Sequence, residues 1–154
     1  MNIMKKRIDV IASQPEVYKA MSAMENYLRA SKLDPIHKEL IKIRASQING
    51  CAFCINMHTA DARKAGETEQ RIYLLNAWRE TDLFSKEERA ILALTEEVTL
   101  IQNHVSDETY QRAAELFDET YMANVIMAMV TINSWNRLAI TSQKPLPVEE
   151  FRHN

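Results

Sequence analysis

Glycine occurs only twice in this chain, at positions 50 and 66, and proline only four times. That scarcity constrains the fold more than any other feature, because sheet proteins reverse direction between short strands and draw on these residues to do so. An all-α fold is therefore predicted, and the apolar spacing agrees. In PEVYKAMSAMENYLRAS, the residues Val17, Met21, Met24 and Leu28 follow i, i+4, i+7, i+11, which is one face of a helix over about 15–30.

The same reading continues along the chain. Asp34 and Pro35 open a second helix whose Ile36, Leu40, Ile43 and Ile48 point inward, and Asn49-Gly50 supplies a left-handed stop. A third helix runs from about Cys51 to Gly66, and Thr68 caps a fourth, EQRIYLLNAWRE. Ser85-x-x-Glu88 forms a capping box before KEERAILALTEEVTLI, and Ser106 with Asp107 opens ETYQRAAELF. The last helix is expected over about 119–141, stopped before Lys144-Pro145-Leu146-Pro147, with the polar tail VEEFRHN loosely held. Met122, Met127 and Met129 sit among Val125, Ile126 and Val130 on more than one side of that helix. Burial in the core accounts for such a tract, and so does packing against a second subunit.

A length of 154 residues suits one domain spanning 1–154. A composition that is 46% hydrophobic and 26% charged is ordinary for a globular protein. The formal net charge of -2, without a long run of Lys and Arg, provides no footprint for nucleic acid or an anionic membrane. Neither a signal-peptide run nor a span of roughly 18 apolar residues is present, so a cytoplasmic location is expected. In that compartment close cysteines cycle or bind metal rather than staple a fold.

Both cysteines and one histidine fall within QINGCAFCINMHTADARKAG, as Cys51-x-x-Cys54-x-x-x-His58. Covalent haem attachment needs His at position 55, which is Ile55. Structural zinc needs four ligands, and His37, His104 and His153 lie at no recognisable finger spacing. No βαβ pattern surrounds the pair, which argues against a thioredoxin fold. Two buried thiols acting as small hydrophobes remain an alternative, as does a redox pair. Helix geometry favours the latter: positions i and i+3 stand about 5–6 Å apart on one face, within bridging range. His58 completes the stripe, and a helix N-terminus favours thiolate over thiol. Glu39, twelve residues before Cys51 among Leu40, Ile41 and Ile43, is a further candidate for proton exchange with His58, although a Glu flanked by Lys38 and Lys42 also fits a solvated surface charge.

Taken together, Glu39, Ser46, Cys51-Ala52-Phe53-Cys54 and His58, with the later INSWNRLAI, resemble the alkylhydroperoxidase AhpD and carboxymuconolactone decarboxylase superfamily over roughly residues 15–142. The resemblance implies an AhpD-like bundle of about six to seven helices, associated as a trimer or hexamer. It implies a peroxidase reducing hydroperoxides, with Cys54 as the peroxidatic thiol, Cys51 as its disulfide partner, and Glu39 with His58 as the proton relay. It implies a lipoyl-bearing or thioredoxin-like dithiol as the external reductant, and no cofactor or metal is expected. Some AhpD enzymes carry a second His between the cysteines, where this chain has Phe53. Carboxymuconolactone decarboxylases proper generally lack the cysteine pair, so its presence favours redox chemistry over lactone decarboxylation. Two other function classes stay open: a redox-sensing or interaction protein of the same family without significant turnover, and a metal-binding protein.

Overall fold

The computed structural model describes residues 6–148. His153 and nearly all of the VEEFRHN tail lie outside the described residues. Eight α-helices and two 3-10 segments follow in order: α1 Val10–Ser13, α2 Pro15–Ala30, α3 Pro35–Asn49, α4 Ala52–Lys64, α5 Glu69–Tyr73, a 3-10 segment Leu75–Glu80, α6 Lys86–Thr99, a 3-10 segment Ile101–Asn103, α7 Asp107–Ala114 and α8 Glu119–Ser142. There is no strand among the described residues. Nor is any helix among them long and apolar enough to cross a membrane.

Helix α3 is the axis, packed against α4, α6 and α8. Its caps are those expected: the Asp34 carboxylate accepts from the N–H groups of Ile36 and His37, Pro35 fills the first turn, and Gly50 closes the end at φ 70°. An ideal Cβ at Gly50 meets nothing within 4 Å, so the backbone conformation and not space calls for glycine there. The expected single inward face is too narrow a description, since Glu39, Leu40, Ile41, Lys42, Ile43, Ala45 and Ser46 are all buried. Three neighbouring helices cover three sides, and each fully buried Leu or Ile contributes about 2 kcal/mol.

Two apolar clusters result. One gathers Ile41, Ala45, Cys51 and Cys54 with Ile91 and Leu94 of α6 and Val125, Met129 and Ile132 of α8. The other joins Leu40 and Ile43 to Ile72, Leu75, Trp78 and Phe84. The second cluster explains why the expected fourth helix is broken, with Ala77 at φ -116° inside a 3-10 segment. Ile72, Leu75 and Trp78 are all buried at intervals of three, and a three-residue turn aligns them where an α-helix would splay them. The indole N–H of Trp78 then reaches the Glu96 carboxylate on α6 at 2.9 Å. Ser85 and Glu88 form the capping box as read. Helix α7 ends at Ala114, three residues short of the expected end at Phe117.

Candidate functional site

The turn between α3 and α4 carries the cysteines. After Gly50 reverses the chain, the Cys51 N–H donates to the Ser46 carbonyl at 3.0 Å, and Cys51 becomes the N-cap of α4, its Sγ accepting from the Cys54 N–H at 3.3 Å. Cys51 and Cys54 are joined in a disulfide with Cα atoms 5.3 Å apart. Cys54 therefore stands in the first turn of α4, where unpaired N–H groups favour negative charge on sulfur. The two cysteines lie within bridging range, as the spacing predicted, but Cys51 is an N-cap with extended backbone and not a residue of the helix itself.

One turn further on, His58 is buried, and its Nδ1 lies 2.9 Å from Glu39 Oε2. Glu39 is only 7% exposed, so the alternative of a solvated surface charge is corrected: the crossing of α3 over α4 turns this carboxylate inward. Its flanking lysines divide. Lys38 Nζ stays 3.7 Å from Glu39, whereas Lys42, itself 3% exposed, turns away to both Glu25 oxygens at 2.9 and 2.8 Å. With Glu39 ionised, His58 Nδ1 carries and donates the proton, which leaves Nε2 as the basic nitrogen. Half-buried Asp61 brings a third ligand-type atom, and the donors of Glu39, His58 and Asp61 lie within 4.8 Å of one another. These three are the residues that could hold a cation, and Glu39 and His58 are already hydrogen-bonded to each other.

The INSWNRLAI segment locks the turn in place from α8. Asn136 donates to Ser46 Oγ at 3.0 Å, while Asn49 donates to Asn136 Oδ1 and Asn133 Oδ1 at 2.9 and 3.0 Å. Ser46 Oγ in turn donates to the Lys42 carbonyl at 2.6 Å. These bonds hold the last turn of α3, directly before Gly50 and Cys51. Trp135, between the two asparagines, donates from Nε1 to Glu25 Oε1 at 3.0 Å, so the buried Lys42 charge, the Glu25 carboxylate and the indole form one satisfied network.

Cys54 and His58 open together onto a cavity of about 680 Å³. Its floor includes Phe53 and Met57 of the α4 region, its wall Trp135 and Leu138 of α8, and its roof residues 6–11 and 142–145. Arg7 secures the roof by donating to the Thr141 carbonyl at 3.0 Å.

Residues 15–97 match the carboxymuconolactone decarboxylase family model. YdfG of Bacillus subtilis, an uncharacterized protein, is 51% identical over 138 residues, covering 89% of this chain and 94% of its own. The chain belongs to the carboxymuconolactone decarboxylase family. Its AhpD-like fold is shared with ATU0492 from Agrobacterium tumefaciens, a crystal structure of a protein of unknown function suggested to be the antioxidant defence protein AhpD. That match has a TM-score of 0.90 and 38% identity, covering 94% of this chain and 100% of the other. The debrominase Bmp8 shares the fold at a TM-score of 0.81 with 17% identity, over 89% of this chain and 74% of its own.

Within the family-matched stretch lie Glu25, Glu39, Lys42, Ser46, Cys51, Cys54, His58 and Asp61. The cavity roof and the α8 wall lie outside it. Of the residues singled out from the sequence, Cys51 and Cys54 are bonded to each other, Glu39 and His58 share a hydrogen bond, and Cys54 and His58 line one cavity. Sequence reasoning gave no place beside the cysteines to Glu25, Asp61 or Lys42, and it singled out Asn133 and Asn136 only as part of INSWNRLAI. A buried lysine on the most covered helix and an Asn-x-x-Asn spacing one turn apart were the available signals.

Proposed function

We propose that the protein is a thiol-dependent peroxidase that reduces hydroperoxides through Cys54 and Cys51. The observation that supports this most is the shared cavity: a disulfide-forming sulfur and an imidazole backed by a carboxylate face one space large enough for a substrate. In the reduced protein His58 Nε2 takes the Cys54 proton. The thiolate attacks the terminal oxygen of R–O–OH, the O–O bond breaks, and the departing alkoxide receives a proton from the imidazolium to leave as R–OH. Cys54 is then a sulfenic acid. Cys51 attacks it through its thiolate, the S–S bond forms, and hydroxide leaves with a proton as water. Two thiols are oxidised and one hydroperoxide is reduced by two electrons. Glu39 stabilises the imidazolium between the two proton transfers.

An external dithiol, lipoyl-bearing or thioredoxin-like, resets the pair by thiol–disulfide exchange. The working form is a homo-oligomer, trimer or hexamer. Hydroperoxide consumption with dihydrolipoamide or thioredoxin as donor tests the assignment. Wild type is expected to turn over continuously, Cys54→Ser not at all, and Cys51→Ser for no more than one equivalent before stalling at the sulfenic acid. Equal consumption by all three proteins would remove the cysteines from the reaction. Oxidation that changes the assembled mass without turnover would reassign the pair to a redox switch.

A further inference from the structure

The cavity above Cys54 is larger and more charged than hydrogen peroxide requires. At about 680 Å³ it falls in the roughly 300–1,000 Å³ range of pockets that enclose drug-sized ligands, whereas a water-sized molecule fills about 30 Å³. Ile8, Val10, Ile11, Met57, Trp135 and Leu138 supply apolar surface. Ile8 is left 70% exposed, an apolar side chain facing a space that an apolar body would fill.

The charges are arranged unevenly. Four cations line the cavity, Lys6, Arg7, Arg29 and Lys144, against the carboxylates of Asp9 and Glu25. Glu25 is already neutralised by Lys42, and Asp9 is engaged in capping α1. None of the four cations has a carboxylate partner within ion-pair distance among the described residues. Lys144 is the one tied to the reactive turn. Helix α8 ends with Gln143 in the left-handed region at φ 51°, the Lys144 N–H returning to the Ala139 carbonyl at 2.9 Å. This reversal places Lys144 Nζ 4.2 Å from the centre of the Phe53 ring, and Phe53 sits between the two cysteines. A non-glycine residue held at positive φ is uncommon, and here it aims a cation at the mouth of the cavity.

We propose that this cavity binds an amphipathic carboxylate, its apolar body against the α8 wall and the roof and its head group at Lys144; on the peroxidase reading, which this inference builds on, the substrate is a carboxylate-bearing organic hydroperoxide. The peroxide group then reaches Cys54 while the carboxylate stays at the solvent edge. The electrons and protons move as already described, and Lys144 takes no part in them. It is a specificity residue.

Two measurements separate this proposal from the peroxidase reading. In turnover, kcat/KM is compared for an unsaturated C18 fatty-acid hydroperoxide and its methyl ester, with wild type, Lys144→Met and Lys144→Arg. In binding, calorimetry on the disulfide form compares the corresponding hydroxy acid with its methyl ester, which requires no catalysis. Wild type is expected to prefer the acid by about tenfold, Lys144→Arg to keep the preference, and Lys144→Met to reduce it to about twofold, as loss of one partly exposed charge pair implies. Preferential, Lys144-dependent binding without turnover would uphold the carboxylate site and overturn the peroxidase reading. Equal binding of acid and ester, a preference unchanged in Lys144→Met, or no binding of either ligand would overturn the inference.

Discussion

At the scale of single residues, the site depends on one carboxylate being inside. Glu39 and His58 come from different helices, and their 2.9 Å contact is what fixes the imidazole's tautomer and orientation. Glu39→Gln keeps the shape and an accepting oxygen but removes the charge that stabilises imidazolium. The expected outcome is a fall in kcat of roughly 10²-fold with little change in unfolding midpoint, measured by stopped-flow peroxide consumption beside a urea titration. A collapse in stability with kcat per folded molecule unchanged would make the pair merely structural. The closeness of Cys51, Cys54 and His58 was legible in the sequence because an N-cap stands beside the first turn it caps, and Cys54 and His58 at i and i+4 share a face of the helix, wherever that helix lies. The partner of His58 was not legible in that way. It depends on how α3 crosses α4, which is settled by Leu40, Ile41 and Ile43 packing in opposite directions into two separate clusters.

At the scale of elements, Glu96 on α6 ties three segments together. It accepts from Arg44 on α3 and from Trp78 and Arg79 on the 3-10 segment. Burial alone would push its carboxyl upward; the hydrogen bonds from Arg79, Trp78 and Arg44 outweigh that and hold it below the usual carboxylate range. A folded-state value below the unfolded one gives stability that is present above the ordinary carboxylate range and lost as pH falls through the folded value. Glu96→Gln is therefore expected to cost roughly 2–3 kcal/mol at neutral pH, and the gap from wild type is expected to narrow below about pH 4. Urea unfolding at two pH values measures both. Gly50→Ala gives a contrasting case. With φ at 70° and no atom near a built Cβ, it is expected to cost only about 1–2 kcal/mol of backbone strain, readable as a small shift in urea midpoint, and a loss of 4 kcal/mol or more would mean that crowding matters there after all. The caps at Asp34, Thr68, Ser85 and Ser106 were legible because each is a local exchange between a side chain and the next turn's N–H groups. Helix α1 was not, since its four residues have no buried member and hence no periodic signal. The kink after α5 was hidden for a different reason: α6 pulls Trp78 into place from eighteen residues away.

At the scale of the whole molecule, the cavity is assembled from both ends of the chain. Residues 6–11 and 142–145 meet over α4, joined by the bond from Arg7 to the Thr141 carbonyl, and no local pattern in either stretch announces a roof. The Met-rich tract of α8 divides: Met122 and Met129 are buried, Met127 is half-buried, and Val130 stays exposed. Because α1 contributes no buried residue, the roof covers the site without supporting the core. Deleting residues 1–13 is accordingly expected to shift the urea midpoint little. It removes Ile8, Val10 and Ile11 from the cavity, and losing part of their apolar contact, about 1.4 kcal/mol in all, lowers kcat/KM about tenfold for a C18 fatty-acid hydroperoxide. Hydrogen peroxide makes no such contacts, so its kcat/KM is expected to hold or rise as access to Cys54 widens. Parallel rate measurements on the two peroxides decide the matter: equal losses for both, accompanied by a lower midpoint, would mean that the N-terminal segment braces the bundle and does not form the substrate's enclosure.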